Sequence, residues 1–284
     1  MTKLYVMILA SVLSFTKVDE DFHHLCNYSE CIDALKEMLQ TAESNDDKAE
    51  IYWRLSRASL MIGVEQSGKE AKRKHFNQGM SYAEEGFKLN PTSINCYMWH
   101  CANLGRACQT QSLMDQAASV PAMMSDLSKI LDELKRTDYS EAWQALSEIY
   151  HNHPFKSDDS ALNYARMAAL NVPKDELRIS TYIYLAELLY DRGTSASKRA
   201  SDIVKNKPRY SKTQQSNIEK YAYHDSSDPA LPWTDRKLGA ISDKEEADAI
   251  LKYAKERYLK SSRPTPIDQK DYAVLLNMIK NNIK

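Results

Sequence analysis

The residues best suited to chemistry in this chain are its histidines and cysteines, and their spacing does not assemble a reaction centre. His151-Asn152-His153-Pro154 is the most ligand-like cluster. Two histidines two apart on a helix point in different directions, and no acidic or cysteine partner sits at i+4 spacing. Surface or helix-end histidines are therefore expected rather than a metal site. His23-His24 beside Cys26 reads the same way. The five cysteines, Cys26, Cys31, Cys96, Cys101 and Cys108, form no CxxC pair. They are expected as small buried apolar residues. In an exported chain Cys26 and Cys31 would be the least implausible local disulfide, although five residues on a helix is poor geometry for one. No Ser/His/Asp order or Cys/His pairing carries a nucleophile motif. No glycine-rich phosphate loop occurs. The run Lys198, Arg199, Lys205, Lys207, Arg209, Lys212 is opposed only by Asp202. Such a run usually forms a solvated helix face; contact with phosphate or lipid head groups is the alternative. The chain is expected to be no enzyme, with no cofactor and no metal.

What must position any functional surface is a set of helices. Among 284 residues only 7 are Gly and 9 are Pro, while 43% are apolar. Gly and Pro are the costly residues of helix interiors, so their scarcity favours helix. With 38 basic and 39 acidic residues the charge balances, leaving no global field to attract nucleic acid. Three segments share one pattern: Tyr52 to Ser59, Ala142 to Tyr150 and Tyr182 to Gly193. Each has an aromatic three residues before a Leu (Leu55, Leu146, Leu185) and a small residue directly after it (Ser56, Ser147, Ala186). This is the first-helix signature of a tetratricopeptide repeat (TPR). Second helices follow, with small residues at 161, 165 and 168 before Pro173, and with Ala83 and Gly86 before Asn90-Pro91. Close antiparallel packing needs small residues on one side and bulk on the other. The expected fold is all-α: a right-handed superhelix of TPR-like antiparallel helix pairs with a helical C-terminal cap, with four pairs between about residues 45 and 206.

The register varies along the chain. Leu55 to Pro91 spans 36 residues, where a 34-residue repeat would give about 25. The excess, around Ser67 to His75, must lengthen the helices or the turn. Ser93 to Leu134 reads as a divergent repeat, with Tyr97, Trp99 and Ala102 in its first helix and Met124 to Leu134 as its second. Tyr28 to Gln40 reads as a second helix completed by Asp21 to Cys26. At the N-terminus, apolar Leu4 to Phe15 behind Lys3 is too short to span a membrane and fits a signal-peptide core, with a buried first helix as the alternative. Residues 1–18 are thus expected as a signal peptide or N-terminal anchor, 19–206 as the repeat domain and 207–284 as a helical extension. In that extension Ser242 to Glu245 forms a capping box opening a helix to about Lys260, and Ile267 to Ile283 forms the last helix. An exported, periplasmic location is expected; a membrane-anchored or intracellular one is the alternative.

Repeat geometry names a candidate surface. First-helix positions that line the concave face of such an array are Trp53, Arg57, Gln144, Glu148, His151, Asn152, Glu187, Tyr190 and Asp191, with Tyr97 and Cys101 in the divergent repeat. Arg and Trp at one end and amide and acidic groups at the other suit a peptide or polar ligand. Packing of Trp53 against an N-terminal helix is the competing reading.

The string Trp53-Arg54-Leu55-Ser56-Arg57-Ala58-Ser59, the long helix ending Leu89-Asn90-Pro91, and Trp99 with Ala102-Asn103-Leu104-Gly105 resemble the TPR domain of the regulator of microtubule dynamics family. The same segments are similar to bacterial periplasmic TPR proteins associated with TRAP transporters. The resemblance covers roughly residues 28–173. It implies a non-enzymatic helical adaptor for a protein or peptide partner, such as a transporter subunit, or a small-ligand accessory protein of an uptake transporter.

Overall fold

The computed structural model describes residues 15–152 and 157–282. The apolar run expected as a signal segment lies outside the described residues up to Ser14, as does His153. The described residues are helical or in turns and loops, with no strand among them, as the all-α reading requires. No helix among them is long and apolar enough to cross a membrane. The chain divides into two compact units, Met1–Asp126 and Leu127–Lys284.

In the first unit, α1 (residues 15–20) runs into a π-helical turn at Asp21–Leu25. Then come α2 (Tyr28–Thr41), α3 (Asn45–Glu65), α4 (Lys69–Leu89), α5 (Ile94–Cys108) and α6 (Leu113–Ser128), whose end carries the division into the second unit. Helix α3 starts where Ser44 accepts the Asp47 backbone N–H and where Asp46 and Asp47 meet the positive helix end. The surplus residues of the first repeat lengthen its helices: α3 and α4 each have 21 residues. They are joined by a tight turn in which Gly68 holds φ 92°, a conformation costly for other residues. Small residues let α4 approach its neighbours. A Cβ on Gly79 would lie 2.3 Å from the Asn103 side chain, and one on Gly86 would lie 2.4 Å from Cys96 Sγ. Helix α3 packs against α2, α4 and α5, so it is covered on most sides and buries even Ser56, Arg57 and Ser59. Val18, Phe22, Tyr28, Cys31, Leu35, Ile51 and Leu55 form one core cluster. Helix α6 begins earlier than the spacing predicts, because the Ser112 hydroxyl accepts the Asp115 N–H and starts it there. All five cysteines are free thiols, and all but half-buried Cys26 are buried.

The second unit contains α7 (Ser140–Asn152), α8 (Asp158–Leu170), α9 (Ile179–Arg192), α10 (Ala196–Tyr210), short α11 (Asn217–Tyr221), α12 (Asp243–Lys260) and α13 (Pro266–Asn282). Helices α7 and α8 form the expected tight pair. Ala161, Ala165 and Ala168 are buried, and Trp143 stacks on Tyr164 with centroids 5.8 Å apart. Ser140 and Ser147 donate across the pair to the carbonyls of Ala168 and Ala161. Helix α9 departs from the expected pairing. It packs against α8, α12 and α13, whereas α10 packs against two short 3-10 turns, His224–Ser227 and Leu238–Ala240. The reason is composition. Helix α10 buries only Arg199, while α12 offers Ala247, Ile250, Leu251 and Ala254 to the apolar face of α9. The C-terminal helices therefore complete the core of this unit. The capping box at Ser242 and Glu245 forms as the sequence predicts.

Candidate functional site

The concave-face positions separate into two environments. In the first unit they are covered. Trp53 is buried, and its Nε1 donates to Glu50 Oε2 at 2.9 Å. Arg57, expected exposed, is 6% exposed. Its Nη2 donates to Asp19 Oδ1 at 2.6 Å, and its guanidinium lies 3.8 Å from the Phe22 ring centroid. Arg54 also pairs with Asp19 at 3.0 Å. The charges and hydrogen bonds of Arg54 and Arg57 hold the Asp19 carboxyl below the usual carboxylate range, against the opposing effect of burial. Helix α1 and its π turn lie across Arg57 through Asp19 and Phe22, whereas Trp53 is buried among Ala49, Cys96, Phe87 and Trp99. Tyr97 is half-buried, stacks on Phe87 at 4.9 Å and donates to the Pro91 carbonyl; Cys101 is buried.

The same unit contains a charged group that repeat spacing did not single out. His100 Nδ1 lies 2.7 Å from Asp126 Oδ2, and its Nε2 lies 3.6 Å from Glu84 Oε1. Burial alone would lower the imidazole pKa, but the two carboxylates overcome it and raise it.

In the second unit the expected positions remain at the surface. Gln144 Oε1 accepts from Thr181 Oγ1 at 2.7 Å, tying α7 to α9, and its Nε2 donates to Glu148 Oε1 at 3.3 Å. Asn152 Nδ2 donates to the Glu148 carbonyl, so Gln144, Glu148 and Asn152 form one stripe at four-residue spacing. Glu148, Asn152, Glu187 and Asp191 are exposed. Tyr184, absent from the expected set because it precedes the core Leu185, sits between the carboxylates. Its hydroxyl is 3.4 Å from Ser147 Oγ. Burial, with the charges of Glu148 and Glu187 adding, pushes its pKa up to about 12. Burial and the neighbouring Asp191 raise the Glu187 carboxyl above its ordinary value. Tyr190 donates to Asp248 Oδ1 at 2.5 Å and so joins this wall to α12. His151 stands apart from the stripe, with its Nδ1 3.8 Å from Asp158 Oδ1 at the start of α8.

Asp248 also lines a cleft of about 510 Å³ with Trp233, Arg236, Lys252, Tyr253 and Glu256. The buried indole N–H of Trp233 has no hydrogen-bond acceptor. This surface can hold a cation against the carboxylates of Asp248 and Glu256. Among the described residues no cluster of His, Cys, Asp and Glu is arranged to hold a metal ion.

Comparison with known proteins adds one match. Residues 16–129, from α1 through α6, match the family described as regulator of microtubule dynamics protein 1-3. No curated protein matches the chain.

Proposed function

We propose that this chain is a non-enzymatic helical scaffold that binds a protein or peptide partner. The contact surface is the α7–α9 wall of the second unit, extended to α12 by the Tyr190–Asp248 hydrogen bond. The observation that carries this reading is that Glu148, Glu187 and Asp191 lie exposed on α7 and α9, with the charges of Glu148 and Glu187 acting on Tyr184. A carboxylate whose pKa is raised by burial and a neighbouring carboxylate, as at Glu187, gains from an incoming cation, and tyrosines supply contact area at low entropic cost. A basic peptide is therefore the fitting partner. The matched family is named for regulating microtubule dynamics, which supports a regulator acting through contacts rather than through chemistry. An exported setting with a transporter subunit as partner rests on the run Leu4 to Phe15 and on the resemblance to periplasmic TPR proteins.

The test is a fluorescence-anisotropy titration with an Arg/Lys-rich peptide and its Glu-rich counterpart. The basic peptide should bind and the acidic one should not. Glu187→Lys with Asp191→Lys should weaken binding more than about tenfold, a loss of about 1.4 kcal/mol, with the helical circular dichroism unchanged. Equal affinity of wild type and variant would sink the reading.

A second reading, a small-ligand accessory protein, is favoured by the size of the Trp233–Tyr253 cleft, which falls in the range of ligand pockets. It requires Trp233→Phe to affect ligand uptake while the Glu187 variant does not.

A further inference from the structure

We infer that a separate cleft between α8 and α10 binds the phosphate or diphosphate group of a soluble ligand. The inference does not depend on the peptide-binding wall. The cleft has a volume of about 260 Å³, and its cationic lining is Arg192, Lys198, Arg199, Lys205 and Arg209. On α10, Arg199, Asp202, Asn206 and Arg209 recur at the spacing of one helix face, and Lys198, Arg199, Lys205 and Arg209 of the basic run line the concavity.

Three carboxylates also line the cleft, and each is already engaged. Asp159 pairs with Arg192 at 3.0 Å, Asp202 pairs with Lys198, and Asp225 pairs with Arg166. Lys205 has no carboxylate partner among the described residues. Nor does Arg209, whose guanidinium lies 5.3 Å from the Tyr223 ring centroid. The second observation is independent of this charge surplus. Arg199 is 3% exposed and lines the cleft, yet its Nε and Nη1 have no hydrogen-bond acceptor. Only Nη2 is satisfied, by Glu246 Oε2 at 2.6 Å, while Nη1 stands 3.4 Å from Asp243 Oδ1 without a hydrogen bond. Buried guanidinium donors ordinarily find acceptors.

A carboxylate ligand would bring one charge. The surplus at Lys205 and Arg209, beside an Arg199 guanidinium with only one of its nitrogens hydrogen-bonded, matches a multivalent oxyanion. The apolar lining is limited to Ile203, Ala222 and the ring of Tyr223, so the cleft offers no wall for acyl chains. The chemistry therefore fits a soluble phosphorylated ligand rather than a lipid.

The experiment uses the whole chain with sodium pyrophosphate as probe, against sodium chloride at matched ionic strength. Calorimetric titration should show saturable binding, and the melting temperature should rise with pyrophosphate. Lys205→Ala with Arg209→Ala, both at exposed positions, should weaken binding at least tenfold. Lys207→Ala, in the same basic run but outside the cleft, should leave it unchanged. If the double variant melts early, Lys205→Gln alone carries the same test. Absence of saturable binding, or full affinity in the double variant, would overturn the assignment. So would binding to phosphatidic acid vesicles that pyrophosphate does not compete away.

Discussion

Arg57 and Asp19 are 38 residues apart in sequence, yet Arg57 Nη2 and Asp19 Oδ1 lie 2.6 Å apart, binding α3 to the N-terminal helix. This contact decides what Arg57 does. A residue at a groove-lining position of the repeat serves to hold the repeat's own neighbour.

Arg57→Ala should accordingly act on stability. Removing it leaves Asp19 with Arg54 alone and opens space beside Phe22 and Trp53. The expected loss is about 1.5–3 kcal/mol, the range for a hydrogen bond to a charged group. Urea unfolding of wild type and variant measures it. A folded variant of unchanged stability would return Arg57 to the binding surface.

His100 makes the first unit sensitive to pH. Its folded pKa is raised by Asp126 and Glu84, so its contribution is complete below the unfolded value of about 6.5. That contribution is lost as pH rises through the raised folded value. The melting temperature should fall across this window, and His100→Gln should flatten the fall. A flat profile in the wild type would exclude the charged pair.

Arg166 is fully buried in the second unit, bound to Glu246 through two hydrogen bonds of 2.9 Å and paired with Asp225. Arg166→Met should leave Glu246 and Asp225 short of one cation and cost about 3–5 kcal/mol, as when one partner of a buried pair is removed. Chemical denaturation of the variant checks this; a cost below about 1 kcal/mol would show that Arg199 and Arg192 compensate.

Binding of a basic peptide to the α7–α9 wall should weaken on acidification. Glu187 titrates above its ordinary value of about 4.3, so its charge disappears as pH falls through the raised value. The same carboxyl favours folding in its protonated form, so its share of stability is present at low pH and lost as pH rises. Affinity and stability should therefore move in opposite directions at this residue. Anisotropy and melting curves on Glu187→Gln, which abolishes both trends, separate it from its neighbours.

Local spacing determined most of the helices. The aromatic-x-x-Leu-small pattern placed α3, α7 and α9, small residues marked α4 and α8, and Ser242 with Glu245 marked the start of α12. Such signals act over one or two helical turns and remain readable without the rest of the chain. The resemblance of Trp53 to Ser59 and its flanking helices to the regulator of microtubule dynamics family was legible for the same reason, and the family match at residues 16–129 covers that segment. The exposure of Glu148, Asn152, Glu187 and Asp191 was legible too, because their spacing puts them off the buried faces of α7 and α9. Burial was decided by long-range neighbours. Whether Arg57 faces solvent depends on where α1 lies, and the partner of α9 is α12 because α10 lacks the apolar residues to cover it. The Arg166–Glu246 pair joins positions 80 residues apart. A residue's own spacing fixes the face of the helix on which it sits, but only the packing of distant helices fixes what that face meets.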